Sequence, residues 1–261
     1  MATVTGAHSE RVALVRDLLT AKGRKAQKRF AFEGPTLFEE AVRSGAQILE
    51  IYATKSAYDD NPLVRETEAG GTPVYITDER TAQRLSDVDT PTGLVAVAPL
   101  RLVPLDQALS SRLCLVLADL SDPGNAGTLM RSAEAFGAQA VLFGALGVEP
   151  YHPKVVRAAM GAAFRLALAV GTPEEVSRAS RDAGATLLGL DAAGDDIRTV
   201  AASARTGLVV GHERRGLGPW EACCSRRVAI AMRGRAESLN AAVAGSIALY
   251  ALSEQALDRA D

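Results

Sequence analysis

Three clusters of polar side chains and glycines follow strand-like segments in the second half of the chain. In open α/β sheets, ligands gather at the carboxyl ends of the strands, so these three loops form the candidate site. A guanidinium offers forked donors to a phosphate or carboxylate, whereas hydroxyl and amide groups make directed hydrogen bonds. The residues that could do chemistry are Asn125 and Arg131 in the first loop, Glu213 in the second, and Ser238 and Asn240 in the third.

The third loop, IAMRGRAESLN, joins the end of a strand to an Ala-rich helical run. Backbone donors at such a turn can contact the polar end of a ligand, while Ile230, Met232 and Leu239 line a slot for its apolar part. The same turn is equally well explained as a simple helix cap, since serine and asparagine are preferred at that position.

In the first loop, Asp122 to Asn125 form a turn that can cap a helix predicted to begin at Ala126. Arg131 lies six residues beyond Asn125, the expected cap, and so within about two helical turns of it. Its guanidinium can therefore bend back toward the strand ends. An arginine on a helix face is also commonly a plain surface residue, and this alternative stays open.

Other catalytic arrangements fit the sequence poorly. A hydrolase triad of Ser238, His212 and Asp119 lacks the G-x-S-x-G elbow around its serine. His152 and His212 lack the spacing of zinc ligands. The three cysteines, two of them adjacent, match neither a disulfide framework nor a metal site and are interpreted as reduced, buried thiols. We therefore expect no metal.

The composition is that of a globular protein with a substantial core, because 48% of the 261 residues are apolar and the charges are mixed. The longest apolar runs are strand-sized, and the N-terminus lacks the hydrophobic region of a signal peptide. We expect a cytoplasmic protein that does not bind membranes.

A net charge of −2 argues against binding nucleic acid by bulk electrostatics, but the charges are unevenly distributed. The segment KGRKAQKR is strongly basic and precedes the first predicted strand. It is either a solvated helix face or a surface that contacts phosphates. In the second case the candidate RNA-binding residues are Arg24, Lys25, Lys28 and Arg29.

Strand-like and helix-like segments alternate along the chain, which predicts the α/β class. The pattern breaks at residues 99–111, the best candidate linker, so we predict one domain over residues 1–105 and a second over residues 106–261. In the second domain the alternation predicts a mostly parallel sheet covered by helices on both faces. Its predicted strands are 113–120, 140–143, 165–170, 186–190, 207–211 and 228–231, and its predicted helices are 126–136, 153–161, 173–183 and one from about residue 239.

Together the three loops resemble a known family. The segments NAGTLMR at 125–131, LVVGHERRGLG at 208–218 and IAMRGRAESLNAAVA at 230–244 resemble, in order and spacing, the three motifs of the SpoU (TrmH) family of RNA 2′-O-ribose methyltransferases, part of the SPOUT superfamily. In the first domain, FAFEGPTLFEEAV and TGLVAVA resemble the beginning and end of the substrate-binding domain of that family.

This resemblance implies a C-terminal trefoil knot, a small N-terminal α/β RNA-binding domain resembling ribosomal-protein folds, a homodimer, and S-adenosyl-L-methionine (AdoMet) as the cofactor. It implies cofactor contacts by Leu190, Gly211, Ile230, Met232 and Leu239, and catalytic roles for Arg131, Asn125, Glu213, Ser238 and Asn240.

The role of the arginine can be weighed on physical grounds. A guanidinium with a pKa above about 12 is a poor base, so we expect Arg131 to hold a phosphate and stabilise the developing alkoxide instead. Ser238 and Asn240 are then expected to orient the ribose hydroxyl.

The identity of the substrate stays open at this point. A separate N-terminal domain favours ribosomal RNA, specifically 23S, over transfer RNA, and both housekeeping and antibiotic-resistance enzymes share this layout. The alternatives are a transfer RNA 2′-O-methyltransferase, a non-catalytic RNA-binding factor for ribosome assembly, and a methyltransferase for small molecules.

Overall fold

The computed structural model describes residues 3–234 and 238–257, with side chains as far as Glu254. The chain divides into two compact units, Met1–Leu100 with Tyr151–Phe164 and Arg101–Pro150 with Arg165–Asp261. The division falls after Leu100 rather than after residue 105. The inclusion of Tyr151–Phe164 in the first unit was not foreseen from the sequence.

The first unit contains a five-stranded mixed sheet. Its strands are β1 Thr3–Val4, β2 Arg29–Glu33, β3 Glu50–Thr54, β4 Val74–Thr77 and β5 Leu94–Pro99. They lie in the order β1-β4-β3-β5-β2, in which β4 pairs in parallel with β1 and β3, whereas β5 pairs antiparallel with β3 and β2. The helices are α1 Glu10–Asp17, α2 Ala21–Gln27, α3 Pro35–Arg43, α4 Lys55–Asp60, α5 Pro62–Ala69 and α6 Glu79–Leu85.

The second unit is built on six strands, β6 Leu113–Leu117, β7 Ala140–Gly144, β8 Ala167–Gly171, β9 Thr186–Asp196, β10 Thr206–Val210 and β11 Arg226–Ala229. They all pair in parallel, in the order β11-β9-β10-β6-β7-β8. The predicted parallel α/β architecture is confirmed. The helices of this unit are α7 Leu105–Leu109, α8 Pro123–Ala135, α11 Pro173–Ala183 and α12 Ala241–Leu257, together with 3-10 turns at Ile197–Thr199 and Gly218–Cys223. Between β7 and β8 the chain forms α9 Pro153–Ala159, which belongs to the first unit, and α10 Ala162–Arg165, which belongs to it as far as Phe164.

Helices cover both faces of this sheet. On one face, Val116 of β6 and Val209 of β10 pack in a cluster with α7, α11 and Trp220. On the other face α12 packs against α8, and a Cβ on Gly245 would come within 2.5 Å of Leu129 and 3.0 Å of Val210. A larger residue at this position would require the side chain of Leu129 or Val210 to shift.

Of the boundaries that differ from the sequence predictions, three bear on the core or the candidate site. The segment predicted as a linker contains α7, because Ala108 and Leu109 are fully buried in the core of the second unit. Strand β9 continues to Asp196 instead of ending at Leu190, since its far end pairs with β11 after a register shift. Helix α8 begins at Pro123, a favoured first helical residue, and not at Ala126.

A buried carboxylate fixes the loop that follows β6. Asp119 has the left-handed backbone conformation, with φ 54°, that non-glycine residues rarely adopt. Its Oδ2 accepts a hydrogen bond from Trp220 Nε1 at 2.8 Å, and its Oδ1 accepts from the backbone N of Leu146 at 3.1 Å. The carboxylate thus joins the ends of β6 and β7 to the turn that precedes β11.

We expect Asp119→Asn to lower the free energy of unfolding of the second unit by about 1–3 kcal/mol, because an amide group must turn a donor toward either Trp220 or Leu146. Asparagine tolerates the left-handed conformation, so backbone strain is not added. Trp220 is the only tryptophan in the chain, so its fluorescence during urea unfolding reports on this unit. Asp182→Asn, on the exposed surface of α11, is the matched control and should change the midpoint little. Equal midpoints for the two variants would contradict the proposed role of Asp119.

Candidate functional site

A cavity of about 240 Å³ is lined by the middle of β9 around Leu190 and by residues that follow β10 and β11. Val210, the last residue of β10, pairs with Leu117, the last residue of β6, and with Leu190, so the loops after β6 and β10 begin beside this part of β9. Of the residues predicted from the sequence, the cavity is lined by Leu190, Gly211, Glu213, Ile230, Met232, Ser238 and Leu239.

Close backbone packing shapes the second loop. A Cβ on Gly211 would lie 2.3 Å from the carbonyl carbon of Gly216, so only glycine fits there. His212 and Gly216 exchange two backbone hydrogen bonds of 2.9 Å, and His212 Nδ1 accepts from the backbone N of Arg214 at 3.1 Å. The turn between them is therefore held in one conformation.

The carboxylate of Glu213 points toward the first loop, where it accepts four hydrogen bonds. Oε2 accepts from the backbone N of Ser121 at 3.3 Å and from its hydroxyl at 3.1 Å. Oε1 accepts from the backbone N of Asp122 and from Asn125 Nδ2, each at 3.2 Å. Glu213 thereby fastens the second loop to the first.

These contacts determine the charge state of Glu213. Its partial burial acts to raise the pKa, but the hydrogen bonds from Asn125 and from the backbone of Asp122 and Ser121 outweigh that effect and hold the pKa below its ordinary value. The carboxylate is ionised at neutral pH, and its oxygens are already engaged.

Asn125 extends the same network to the third loop. Its Oδ1 accepts from Asn240 Nδ2 at 3.1 Å. Asn240 Oδ1 in turn accepts from the backbone N of Ala242 at 2.8 Å and of Val243 at 3.2 Å, so Asn240 caps α12. The capping alternative holds for Asn240, and the cap orients an amide that also links two loops.

The cap of α8 differs from the prediction. Asp122, not Asn125, caps this helix, with Oδ1 accepting from the backbone N of Asn125 at 2.7 Å. Asn125 lies within the first turn, where its side chain is available to Glu213 and Asn240.

Arg131 is not brought into the cavity. With α8 starting at Pro123, it lies eight residues along the helix, about 12 Å from the start. The residue is exposed, and it does not line the cavity. The expectation that its guanidinium bends back to the strand ends is not met by this conformation.

The lining residues that sequence reasoning did not assign to the site include two with titratable side chains, Asp191 and His212. Asp191 follows Leu190 directly, and its Oδ1 accepts from the backbone N of Ala193 at 2.8 Å. The predicted end of strand β9 at Leu190, together with the rule that ligands bind after strand ends, could have identified it.

The basic segment of the first unit is only partly a free surface. The prediction that Arg24 binds RNA is wrong, because this side chain is buried and donates to the backbone carbonyls of Leu18 and Leu19 at 2.9 and 3.0 Å. Arg29 is half-buried and pairs with Glu50 at 3.2 Å. Lys25 and Lys28 are exposed.

Glu50 explains why Arg29 points inward. Its buried carboxylate accepts hydrogen bonds from Arg11, Arg29 and Tyr52 at 3.0 to 3.2 Å. Burial and the adjacent Glu50 carboxylate raise the pKa of Tyr52 well above its usual range, so this hydroxyl stays protonated. The arginines balance a charge that could not otherwise be buried.

Within the described residues, no group of three or more histidine, cysteine, aspartate or glutamate side chains is placed to hold a metal ion. No helix in the same part of the chain has both the length and the apolar character needed to cross a membrane.

Comparison with known proteins supports the resemblance found in the sequence. Residues 112–250 match the model of the SpoU rRNA Methylase family, and residues 9–96 match the MRM3-like substrate binding domain. A curated relative, the 23S rRNA (guanosine(2553)-2′-O)-methyltransferase RlmP of Bacillus subtilis, is 28% identical over 97% of this chain and 99% of its own length.

Solved structures agree with this relationship. The AdoMet-bound rRNA methyltransferase from Sinorhizobium meliloti has a TM-score of 0.83 at 28% identity, covering 96% of this chain and 98% of its own. The SpoU methyltransferase AviRb from Streptomyces viridochromogenes, in complex with AdoMet, has a TM-score of 0.84 at 28% identity, covering 96% and 99%. Since the SpoU model also spans more than half of the sequence, the chain belongs to the SpoU rRNA methylase family.

Proposed function

We propose that this protein transfers the methyl group of AdoMet to a ribose 2′-hydroxyl in ribosomal RNA, specifically 23S. The observation that carries the proposal is the cavity lined by the second and third loops, both of which are joined to the first loop through Glu213, Asn125 and Asn240. These loops correspond to the motifs of a family of RNA methylases, and relatives similar over nearly the whole chain are named as rRNA methyltransferases.

The cavity suits a ligand with apolar and charged parts. Leu190, Ile230, Met232 and Leu239 supply apolar walls, while Asp191 adds a carboxylate that suits a cationic group. The absence of a Cβ at Gly211 lets it pack directly on the backbone of Gly216, and both residues line this space. AdoMet, when bound, supplies an electrophilic methyl group on a sulfonium.

On the acceptor side, the residues of the chain act mainly by positioning. Ser238 lines the cavity, and Asn240 lies two residues further on at the start of α12. Both can hydrogen-bond a ribose hydroxyl, which fixes the oxygen in line with the methyl group. Glu213 is a poor candidate for the base, because its pKa is lowered and its oxygens already accept four hydrogen bonds.

Arg131 is proposed to hold a phosphate of the substrate and to stabilise the developing alkoxide. Its exposure on α8 leaves the guanidinium open to a ligand that approaches from solvent. A forked donor matches two phosphate oxygens, whereas a lysine offers only a point charge.

The first unit is proposed to bind the ribosomal RNA. The match of residues 9–96 to a substrate binding domain supports this role. Within the basic segment, Lys25 and Lys28 remain as candidates for phosphate contacts, since both are exposed.

We also infer a trefoil knot in the second unit. After β10 the chain crosses beyond β9 and forms β11, the edge strand of the sheet. It then returns past β9 to α12, which packs on β10 at Val210. On this return path, Ile230 borders both Leu190 and Ile197 across two adjacent cavities. A path through the loop between β9 and β10 accounts for these neighbours, although knots are rare among proteins.

A homodimer is proposed on the basis of an apolar stripe on α12. Val243, Ile247 and Tyr250 recur at helical spacing and are each 42 to 52% exposed. Large apolar side chains grouped in this way usually mark an interface, and a second copy of the chain is the proposed partner.

The first test of the proposed function uses Glu213→Gln. We expect wild-type protein to transfer labelled methyl groups from AdoMet to 23S rRNA prepared from cells lacking the gene, with the modified site resisting alkaline cleavage. In the variant, the amide nitrogen introduced at position 213 is a donor that faces the donors of Ser121 or Asn125. We therefore expect the affinity for AdoMet and the rate of methyl transfer each to fall about tenfold or more. Glu221→Gln, which alters an exposed carboxylate, is the control. No transfer by the wild-type protein would refute the function, whereas normal transfer by Glu213→Gln would refute only the role of the network.

For Arg131, the informative change is Arg131→Lys. If forked contact with a phosphate is needed, kcat should fall by about 100-fold while AdoMet affinity, measured by calorimetry, stays unchanged. Arg178→Lys on α11 serves as the control and should keep full activity. Near-normal turnover by Arg131→Lys would rule out a need for the guanidinium.

The dimer is tested by Ile247→Glu, which places a charge in the apolar stripe. Sedimentation should show a dimer for the wild-type protein and a monomer for this variant, with the Trp220 fluorescence of the folded state retained. Leu146→Glu, at a leucine that is 86% exposed outside the stripe, should remain dimeric. A wild-type monomer, or a dimer that persists in Ile247→Glu, would contradict the proposal.

A further inference from the structure

Three arginines lie beside the cavity on two different loops. Arg214 and Arg215 are the outer residues of the turn between His212 and Gly216, and both turn ends line the cavity. Arg233 directly follows Met232, another lining residue. All three arginines are exposed. We call Arg214, Arg215 and Arg233 the basic rim.

The turn that carries two of these arginines is fixed on its inner side. His212 is bound to Gly216 through both backbone groups, and Glu213 is held by four hydrogen bonds. The backbone N of Arg214 is also engaged, by His212 Nδ1. Because His212 and Glu213 are held by these hydrogen bonds, the backbone of Arg214 and Arg215 has a defined position beside the cavity.

The charges of the basic rim are not balanced within the described part of the chain, where no side-chain hydrogen bond or ion pair is found for Arg214, Arg215 or Arg233. Other arginines of the second unit do find partners. Examples are Arg226 with Asp195 at 2.6 Å and Arg198 with Asp196 at 2.5 Å. Exposed cations beside a cavity attract an anionic ligand to it.

We propose that the basic rim binds the backbone phosphates next to the ribose that is methylated. This inference rests on the proposed function and adds the residues that hold the RNA strand at the cavity. Guanidinium groups match phosphate oxygens in a forked geometry and are weakly hydrated, so they suit contacts that fix position without reading the base. With a net charge of −2 for the whole chain, RNA must be attracted by local clusters of this kind.

The test is the double variant Arg214→Ala/Arg215→Ala, assayed with 23S rRNA from cells lacking the gene. Its KM for RNA should rise about tenfold, while kcat at saturating RNA and the Kd for AdoMet stay within about twofold of wild type. Losing two phosphate contacts should also lower the slope of log affinity against log salt concentration by about 1.4, from about 0.7 per contact with a single strand. Arg214→Lys/Arg215→Lys should recover the salt slope, because the charge is kept, but only part of the affinity, because the forked contact is lost.

Arg178→Ala/Arg181→Ala is the matched control. It removes the same charge from the same unit, on α11, which leads to the amino end of β9 and so toward the opposite edge of the sheet. This variant should keep the KM and the salt slope of the wild-type protein. An unchanged KM and slope in Arg214→Ala/Arg215→Ala, or equal losses in the control, would overturn the assignment of the basic rim. A wild-type protein that methylates no RNA would instead refute the proposed function, so the two failures are distinguishable.

Discussion

The site depends on one chain of hydrogen bonds, from Glu213 through Asn125 to Asn240. These residues are far apart in sequence, separated by 88 and 115 positions along the two links. The parallel sheet brings their loops to one edge, but it does not set the positions of loop atoms relative to one another. The side-chain bonds do so, because an ionised carboxylate and two amides accept only a narrow range of partners and directions.

The network can form because helix capping leaves the necessary amide groups available. Asp122 caps α8, which leaves the amide of Asn125 free to bridge two loops. At α12, Asn240 uses its oxygen for the cap and its nitrogen for the bridge. Each helix start is thus bonded directly to the network. A ligand in the cavity meets walls whose positions are set by rigid elements, and this lowers the entropy lost on binding.

Much of the second unit was predictable because its strands are short apolar runs that alternate with amphipathic helices. The three loops could also be identified, since polar residues and glycines follow those runs. What failed was decided by tertiary contacts. The apolar residues of α7 are few, and only the core shows that Ala108 and Leu109 belong in it. Arg24 was expected at the surface because arginine usually is, yet the carbonyls of Leu18 and Leu19 satisfy its buried charge. Arg131 was expected at the strand ends only because α8 was started three residues late.

The distribution of charge separates two tasks at the cavity. Glu213 is saturated with donors and carries a lowered pKa, so its negative charge serves the architecture of the loops rather than proton transfer. Just outside, Arg214 and Arg215 directly follow Glu213 in sequence without pairing with it, because its oxygens already face the first loop. Had Glu213 paired with either arginine, both the connection between loops and the free cations would be lost. Because the Glu213 carboxylate points toward the first loop, the turn between His212 and Gly216 does two things. It holds the second loop to the first through Glu213, and it presents Arg214 and Arg215 to an anionic RNA strand.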